Sequence, residues 1–551
     1  MISRAGGDCF GVNLSSVLFL VVIALTPARV RAQGTSTHAE HLGTVDFPVS
    51  CSSEAQREFN RGVALLHHMT YPRAKESFQQ VALLDPQCAM AHWGIAMTLF
   101  QPLWPTRPGP AALRNGWAEI ERARSLNPPT ERERSFLEAG AAFFQAPDSA
   151  DYGIRIRRWN DAMRTVYATF PQDPEAAAFY ALSLLALPAS NADSGRAHSD
   201  LAATLLLSVY QRNPDHPGAM HYLVHANDIA GREHDSLDII GKYESMAPAN
   251  PHALHMPTHI YTRLGDWDAS IRGNLLAADA ALRQPAGDNG EFVWDEFPHA
   301  IEYLVYAYLQ KGDDDSAAAQ SHRLQTTARL EPTFKTAFHL ASTRARFALE
   351  RHAWSEAMAL VPRDPPTLDW NRFRWPEAVT WFARGLGAVH EHKLDVARTA
   401  VDRLDSLEVA ERGGGEEVFA RNIRVLKLEI SAWLAQSMKD TVTSIALMRE
   451  AAALESATPK PAVTPAPSIP AYELLGDLLM EQEHPSDALV AYERSLGLYP
   501  RRFNSLLGAA RAARASGSDS GASAFYQQLL DVAAGSRRTH ELGEARAFLN
   551  K

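Results

Sequence analysis

The sequence predicts an all-α fold, an α-solenoid of paired helices with a groove running along it. Three observations point there. Alanine and leucine abound while β-branched runs are scarce, which favours helix over strand. Two widely separated stretches share one layout of small, aromatic and proline residues. Between them, degenerate copies of that layout can be set down end to end. With 551 residues the chain also exceeds one compact core, so a repeat array or several domains is expected.

The first 32 residues stand apart from this pattern. Arg4 gives a weakly basic start, Ser15–Leu25 is a short apolar run, and Val30 and Ala32 are small residues suited to a cut after Ala32. That is the layout of a secretory signal peptide over residues 1–32, and it predicts a periplasmic or secreted protein. The alternative is an uncleaved anchor, against which the shortness of the run argues. No other stretch is apolar enough for an integral membrane span. Net charge is −10 with no basic stripe, a poor basis for holding nucleic acid. Beyond the leader only Cys51 and Cys88 remain, each just before an expected helix, so a disulfide between them is open in an oxidising compartment.

Phe59–Pro86 carries Gly62, Tyr71, Ala74, Phe78 and a closing Asp85-Pro86; Tyr472–Pro500 repeats the order with Gly476, Ala488, Tyr492 and Pro500. A small residue lets two helices touch, an aromatic fills the gap between them, and proline ends the second helix. Both stretches resemble the tetratricopeptide repeat, a helix–turn–helix unit of 34 residues. Placing Gly231 at a turn makes Pro217–Asn250 one unit, and Gly265 with Trp267 makes the next begin at Pro251 without a gap. A third begins at Pro298, with Gly312 at its turn, after the insertion Gln284–Phe297.

The expected organisation beyond the leader is an extended segment 33–54, repeats over 55–216, histidine-bearing repeats over 217–335, and repeats over 336–457. A proline-rich linker 458–470 and C-terminal repeats 471–551 follow. The resemblance implies a right-handed superhelix whose first helices line the concave side with positions 2, 5, 9 and 12. Runs such as "HYLVHANDIAG" and "PHALHMPTHIY" are also similar to a group of exported bacterial tetratricopeptide proteins without an established activity.

On that frame His221, His225 and Asp228 take positions 5, 9 and 12 of one unit; His252, His255 and His259 take 2, 5 and 9 of the next; His299, Glu302 and Tyr306 follow in the third. At roughly 100° per residue, positions 2, 5 and 9 lie within about 60° of one another, so each helix points its set one way. Seven of the 21 histidines fall within Asp215–His259, and His216 and His234 among them sit at a unit boundary and a turn. Histidines at i and i+4, such as His221/His225 and His255/His259, can hold one metal from one helix face. Asp228, Glu302 and His299 can complete such a site or orient its rings.

The expected cofactor is a divalent transition metal, zinc, copper or iron. Such a metal pocket can also be catalytic; the other readings are a scaffold that takes a peptide or protein partner in the groove and, third, a His/carboxylate pocket doing general acid–base work without metal. Pro257 either kinks a continuous helix, which the frame requires, or starts a new one. The Met90, His92, Trp93 and Met97 stripe is expected in the core, His67-His68 as an exposed pair, and Arg344 and Arg346 on a solvated face. The sequence carries no nucleotide-binding glycine loop, no nucleophile elbow and no clustered-cysteine metal motif.

Overall fold

Helices in this chain start where local chemistry satisfies their first free N–H groups. Asp173 caps Pro174–Leu185 by accepting from the Glu175 and Ala176 amides, and Asn250 caps the helix at Pro251 by accepting from His252 and Ala253. Thr130 and Glu133 form a reciprocal capping box before Glu131–Phe144. Proline opens Pro174–Leu185, Pro217–Asn227 and Pro251–His255, where its missing N–H removes no helical bond.

In the computed structural model, the described residues are 41–550, apart from 105–106, 147, 149–150, 189–191, 236 and 288. The expected signal peptide therefore lies outside them. Consecutive helices pack as pairs throughout, from Ser53–His67 with Tyr71–Leu84 to Phe503–Ala515 with Asp519–Val532, before a terminal helix Thr539–Leu549. This is a tetratricopeptide-like solenoid of helix pairs. The only strands among the described residues, Pro285–Ala286 and Phe292–Val293, form a small hairpin within the insertion before the third histidine helix. No helix among the described residues is long and apolar enough to cross a membrane.

The role of the repeat glycines is visible in the packing. A Cβ on Gly62 or Gly94 would fall 2.7 or 2.3 Å from the Phe78 ring, and on Gly476 or Gly508 2.6 or 2.4 Å from the Tyr492 ring. One aromatic on the second helix of a unit thus nests between small residues on two successive first helices. Met90, Trp93 and Met97 are core, as expected, and His92 bonds Glu119 at 2.6 Å. Cys51 and Cys88 form a disulfide with Cα atoms 5.1 Å apart, tying the first helix pair to the second.

The histidine helices are covered more fully than the repeat frame alone implies. The array folds onto its own histidine helices from both ends. His67 and His68, expected on the surface, are buried: His67 reaches Glu175 and Tyr222, and His68 reaches Tyr243 and the Leu42 carbonyl. From the other end, Arg502 donates to Glu473, Glu350 and the Tyr306 hydroxyl, and Trp267 donates to the Arg501 carbonyl. The proline-rich linker 458–470 packs against the array, with Val463, Thr464, Ala466 and Ile469 buried. Apolar residues at 463, 466 and 469 give this segment a face to bury, which its proline content obscures.

Arg346 correspondingly lies inside, donating to the Ala466 and Pro467 carbonyls at 2.9 and 2.8 Å rather than facing solvent. Polar contact with this inserted segment satisfies the guanidinium that a solvated face would otherwise have hydrated.

The glycine packing sets a test. Gly508→Ala forces a methyl into the Tyr492 ring and is expected to lower unfolding free energy by about 1–3 kcal/mol. Gly497→Ala, where a Cβ meets nothing within 4 Å, is expected to be neutral or to stabilise by up to about 1 kcal/mol. Denaturant midpoints of the two variants check the contrast.

Candidate metal centre

Three successive first helices carry the histidines. Pro217–Asn227 holds His221 and His225; Pro251–His255 and Pro257–Leu264 hold His252, His255 and His259; Glu296–Gln310 holds His299. The last begins two residues before Pro298, which still falls in the first turn and breaks no bond. Asp228 is not on a helix face but at the C-terminal cap of its helix.

Pro257 interrupts a helical path that continues through it, the first of the two alternatives. Met256 keeps helical backbone angles (φ −52°, ψ −43°), so the two short helices run on from one another with a break in the ladder between them. The break falls between His255 and His259, yet these two stay in one cluster: His252 meets His221 and His225, while His255 and His259 meet His299. Two triads result, His221/His225/His252 and His255/His259/His299, and within each the ligand nitrogens lie within 4.8 Å of one another. Five of these six rings are buried, and His225 is partly exposed.

Proton positions follow from the partners, because carbonyl and carboxylate oxygens only accept. His221 Nδ1 donates to the His67 carbonyl (2.6 Å), His252 Nδ1 to Glu296 (3.1 Å), and His259 Nδ1 to Asp228 (2.9 Å). His255 Nδ1 donates to Asn274 Oδ1 (2.7 Å), whose amide nitrogen is committed to the Ser270 carbonyl. His339 Nδ1 donates to Glu302 (2.6 Å), which leaves His339 Nε2 to accept from His299 Nδ1 at 3.0 Å. Each of these five triad rings thus spends its one proton on Nδ1, directed away from its triad.

Their Nε2 lone pairs face inward. His252 Nε2 lies 3.0 Å from His221 Nε2, His255 Nε2 lies 3.0 Å from His259 Nε2, and His299 Nε2 is buried with no hydrogen-bond partner. His225 Nε2, 3.2 Å from His221 Nε2, can supply one proton, but only to its own triad. A second proton on the rings is opposed by burial, which holds His221, His225, His255 and His299 well below the usual imidazole range, with neighbouring rings adding to the effect. Burial also lowers His259, outweighing the pull of Asp228. Converging lone pairs repel unless a cation sits between them, and a spacing of 3.0–3.2 Å suits nitrogens about 2.0–2.1 Å from one zinc-sized ion.

A nearby cluster shows what a completed hydrogen-bond network looks like. His67 Nε2 and His216 Nε2 donate to the two oxygens of Glu175 (2.8 and 3.2 Å); His67 Nδ1 accepts from Tyr222, and His216 Nδ1 accepts from the Ala219 amide. Every nitrogen there has a complementary partner, and no lone pair is left for an ion. Gly218 is required beside it, since a Cβ would lie 2.5 Å from His67 Nδ1.

The expected ligands divide accordingly. His221, His225, His252, His255, His259 and His299 converge, whereas Asp228 and Glu302 bond to Nδ1 atoms and orient rings. Burial works to raise Asp228, yet Lys460, Arg263 and the His259 bond hold it well below the usual carboxylate range. Glu296 and Glu302 are lowered likewise, against burial, chiefly by Lys335 and His339 respectively. Tyr306 belongs to the Arg502 contact rather than to either triad.

Sequence reasoning missed Asn274, Glu296, His339, Lys335 and Lys460, along with Trp104. Trp104 lies in the widened loop Phe100–Pro110, its ring 5.2 Å from His252 and 5.6 Å from His299, with Lys335 Nζ 3.8 Å from its centre. His339 alone offered a signal, a histidine early in the next first helix.

No family model and no curated protein matches the chain. Among solved structures, the Cut9–Hcn1 hetero-tetramer of the APC/C is similar at 12% identity and TM-score 0.27, covering 91% of this chain and 96% of that one. The human IFIT1 dimer with m7Gppp-AAAA is similar at 12% identity and TM-score 0.37, over 88% of this chain and 96% of that one. Yeast Tom70 is similar at 12% identity and TM-score 0.30, over 90% and 96%. At these values none of the three informs the histidine site.

Two outcomes test the contrast between the clusters. Glu175→Ala leaves two buried imidazoles without their acceptor and is expected to cost about 2–4 kcal/mol of stability with unchanged metal content. Chelator-stripped protein is expected to lose stability as pH falls below about 6.5. The unfolded chain then binds protons that the buried, lowered histidines refuse, so unfolding takes up protons and acid favours it. Melting temperatures from pH 8 to 5 check the sign.

Proposed function

We propose that this protein is an exported tetratricopeptide-like solenoid that binds transition metal at two all-histidine sites, His221/His225/His252 and His255/His259/His299. The observation that carries the reading is the orientation of the rings. Five imidazoles commit Nδ1–H to outer acceptors and leave Nε2 lone pairs converging, the arrangement in which outer partners fix the tautomer of metal-binding histidines. With six imidazoles and no carboxylate among the inward-facing donors, zinc and copper fit better than iron, which commonly draws on a carboxylate. Export is supported by the leader pattern in the sequence and by the Cys51–Cys88 pair.

The scaffold reading fits this region less well. Lys460 bonds Asp228 and Thr464 approaches Glu302, so the chain's own 460–468 segment occupies the space a groove peptide would use at the histidines.

The test is elemental analysis of protein purified without added metal or chelator, followed by melting of stripped protein with zinc or copper. Bound metal is expected, and at a free concentration of 100 Kd the gain is about 2.7 kcal/mol. His255→Ala is expected to remove the part of that gain owed to its triad. Absence of metal from the native protein, with no melting shift on adding either ion, refutes the proposal.

A further inference from the structure

Resting on the metal reading above, the geometry points to something more specific: we infer that the two triads form one dinuclear centre whose ions share a bridging oxygen anion, hydroxide or a small anion that replaces it. The triads are neighbours, not separate sites. His252 and His255 sit three residues apart on either side of one helical turn, their ring centres 6.4 Å apart, and His225 faces His259 across the triads at 6.0 Å. Each ion must stand off its rings on the Nε2 side, towards the space the triads share. These cross-triad separations match ones within the triads, His225 to His252 at 6.4 Å and His259 to His299 at 6.1 Å, so the two ions stand as neighbours, the arrangement in which two-metal sites hold one oxygen between them.

Charge supplies the second argument. None of the six inward imidazole donors carries a negative charge. The carboxylates that orient the rings are already matched by cations: Asp228 by Arg263 at 2.5 Å and Lys460 at 3.4 Å, Glu296 by Lys335, and Glu302 by Arg346 at 3.2 Å. Two divalent ions would add four positive charges to a region of buried rings with no free anion to offset them. An uncompensated buried charge is costly, so an anion must enter with the metal. One bridging oxygen lowers the charge at both ions at once and fills the coordination position that three histidines leave open on each.

Room and access limit this ligand to a small one. Trp104 stands edge-on to His252 and to His299, and the Tyr303 ring stands edge-on to His255 at 4.7 Å. Partly exposed His225 marks the more open side of the centre.

The test uses the full chain, stripped of metal and titrated with Cu(II), with bound copper and its paramagnetic resonance signal both counted. Two equivalents bound with an integrated signal far below two spins is the expected result, because ions sharing one oxygen couple magnetically. His225→Gln and His299→Gln, one in each triad, are each expected to hold one equivalent and to restore a full single-spin signal. Using both keeps the test decisive if one variant folds poorly, as judged by circular dichroism. Two equivalents with two uncoupled spins, or a single equivalent in the unmodified chain, overturns the shared centre while metal binding stands. No copper and no zinc bound overturns the metal reading itself.

Discussion

A neutral imidazole has one proton to give, and in this protein its direction organises everything around it. An outward Nδ1–H needs an acceptor at a fixed place: the His67 carbonyl, Asn274, Asp228, Glu296, or Glu302 through His339. Each carboxylate then needs a cation, which brings in Arg263, Lys335, Arg346 and Lys460. Those cations in turn need acceptors, and Arg346 finds them in the 466–467 carbonyls of a segment more than a hundred residues away. The inward lone pairs thus require a polar shell, and satisfying that shell draws both ends of the repeat array onto the middle.

Much of this was legible in the sequence because repeats carry their own register. The glycine and aromatic positions of the two clear units fixed the frame, and the frame placed Pro217 and Pro251 at helix starts where the structure has them. It also brought six histidines from three helices to one region. What the frame could not contain was closure. A periodic pattern describes how each unit meets its neighbour, whereas contacts such as His67 to Tyr222 or Trp267 to Arg501 join units far apart in the array and leave no periodic trace. His67-His68 reads as a polar helix end, and only Glu175, Tyr222 and Tyr243 make it core.

The effect of a proline depends on what surrounds it. Between residues 458 and 470 prolines suggest a semi-rigid connector, and the apolar residues among them are buried, so the connector packs as a plug. At Pro257 the helical path continues, as the repeat frame required. The missing N–H of Pro257 opened the ladder there without ending the helical path, and His255 and His259 on its two sides still meet His299. The residues that orient the rings were harder still, because Asn274, Glu296 and Lys335 are unremarkable types at unremarkable positions until a ring nitrogen is placed beside them.

The order of these elements along the chain has a consequence for assembly. All six converging histidines lie between residues 221 and 299, behind the first helix pair that covers one side, while the 460–468 plug and Arg502 come some two hundred residues later. A ribosome or translocon delivers the chain in that order. The rings therefore emerge well before the segment that covers them. Once the plug seats and Lys460 reaches Asp228, the approach to the histidine helices from that side is closed, and partly exposed His225 is left as the way in.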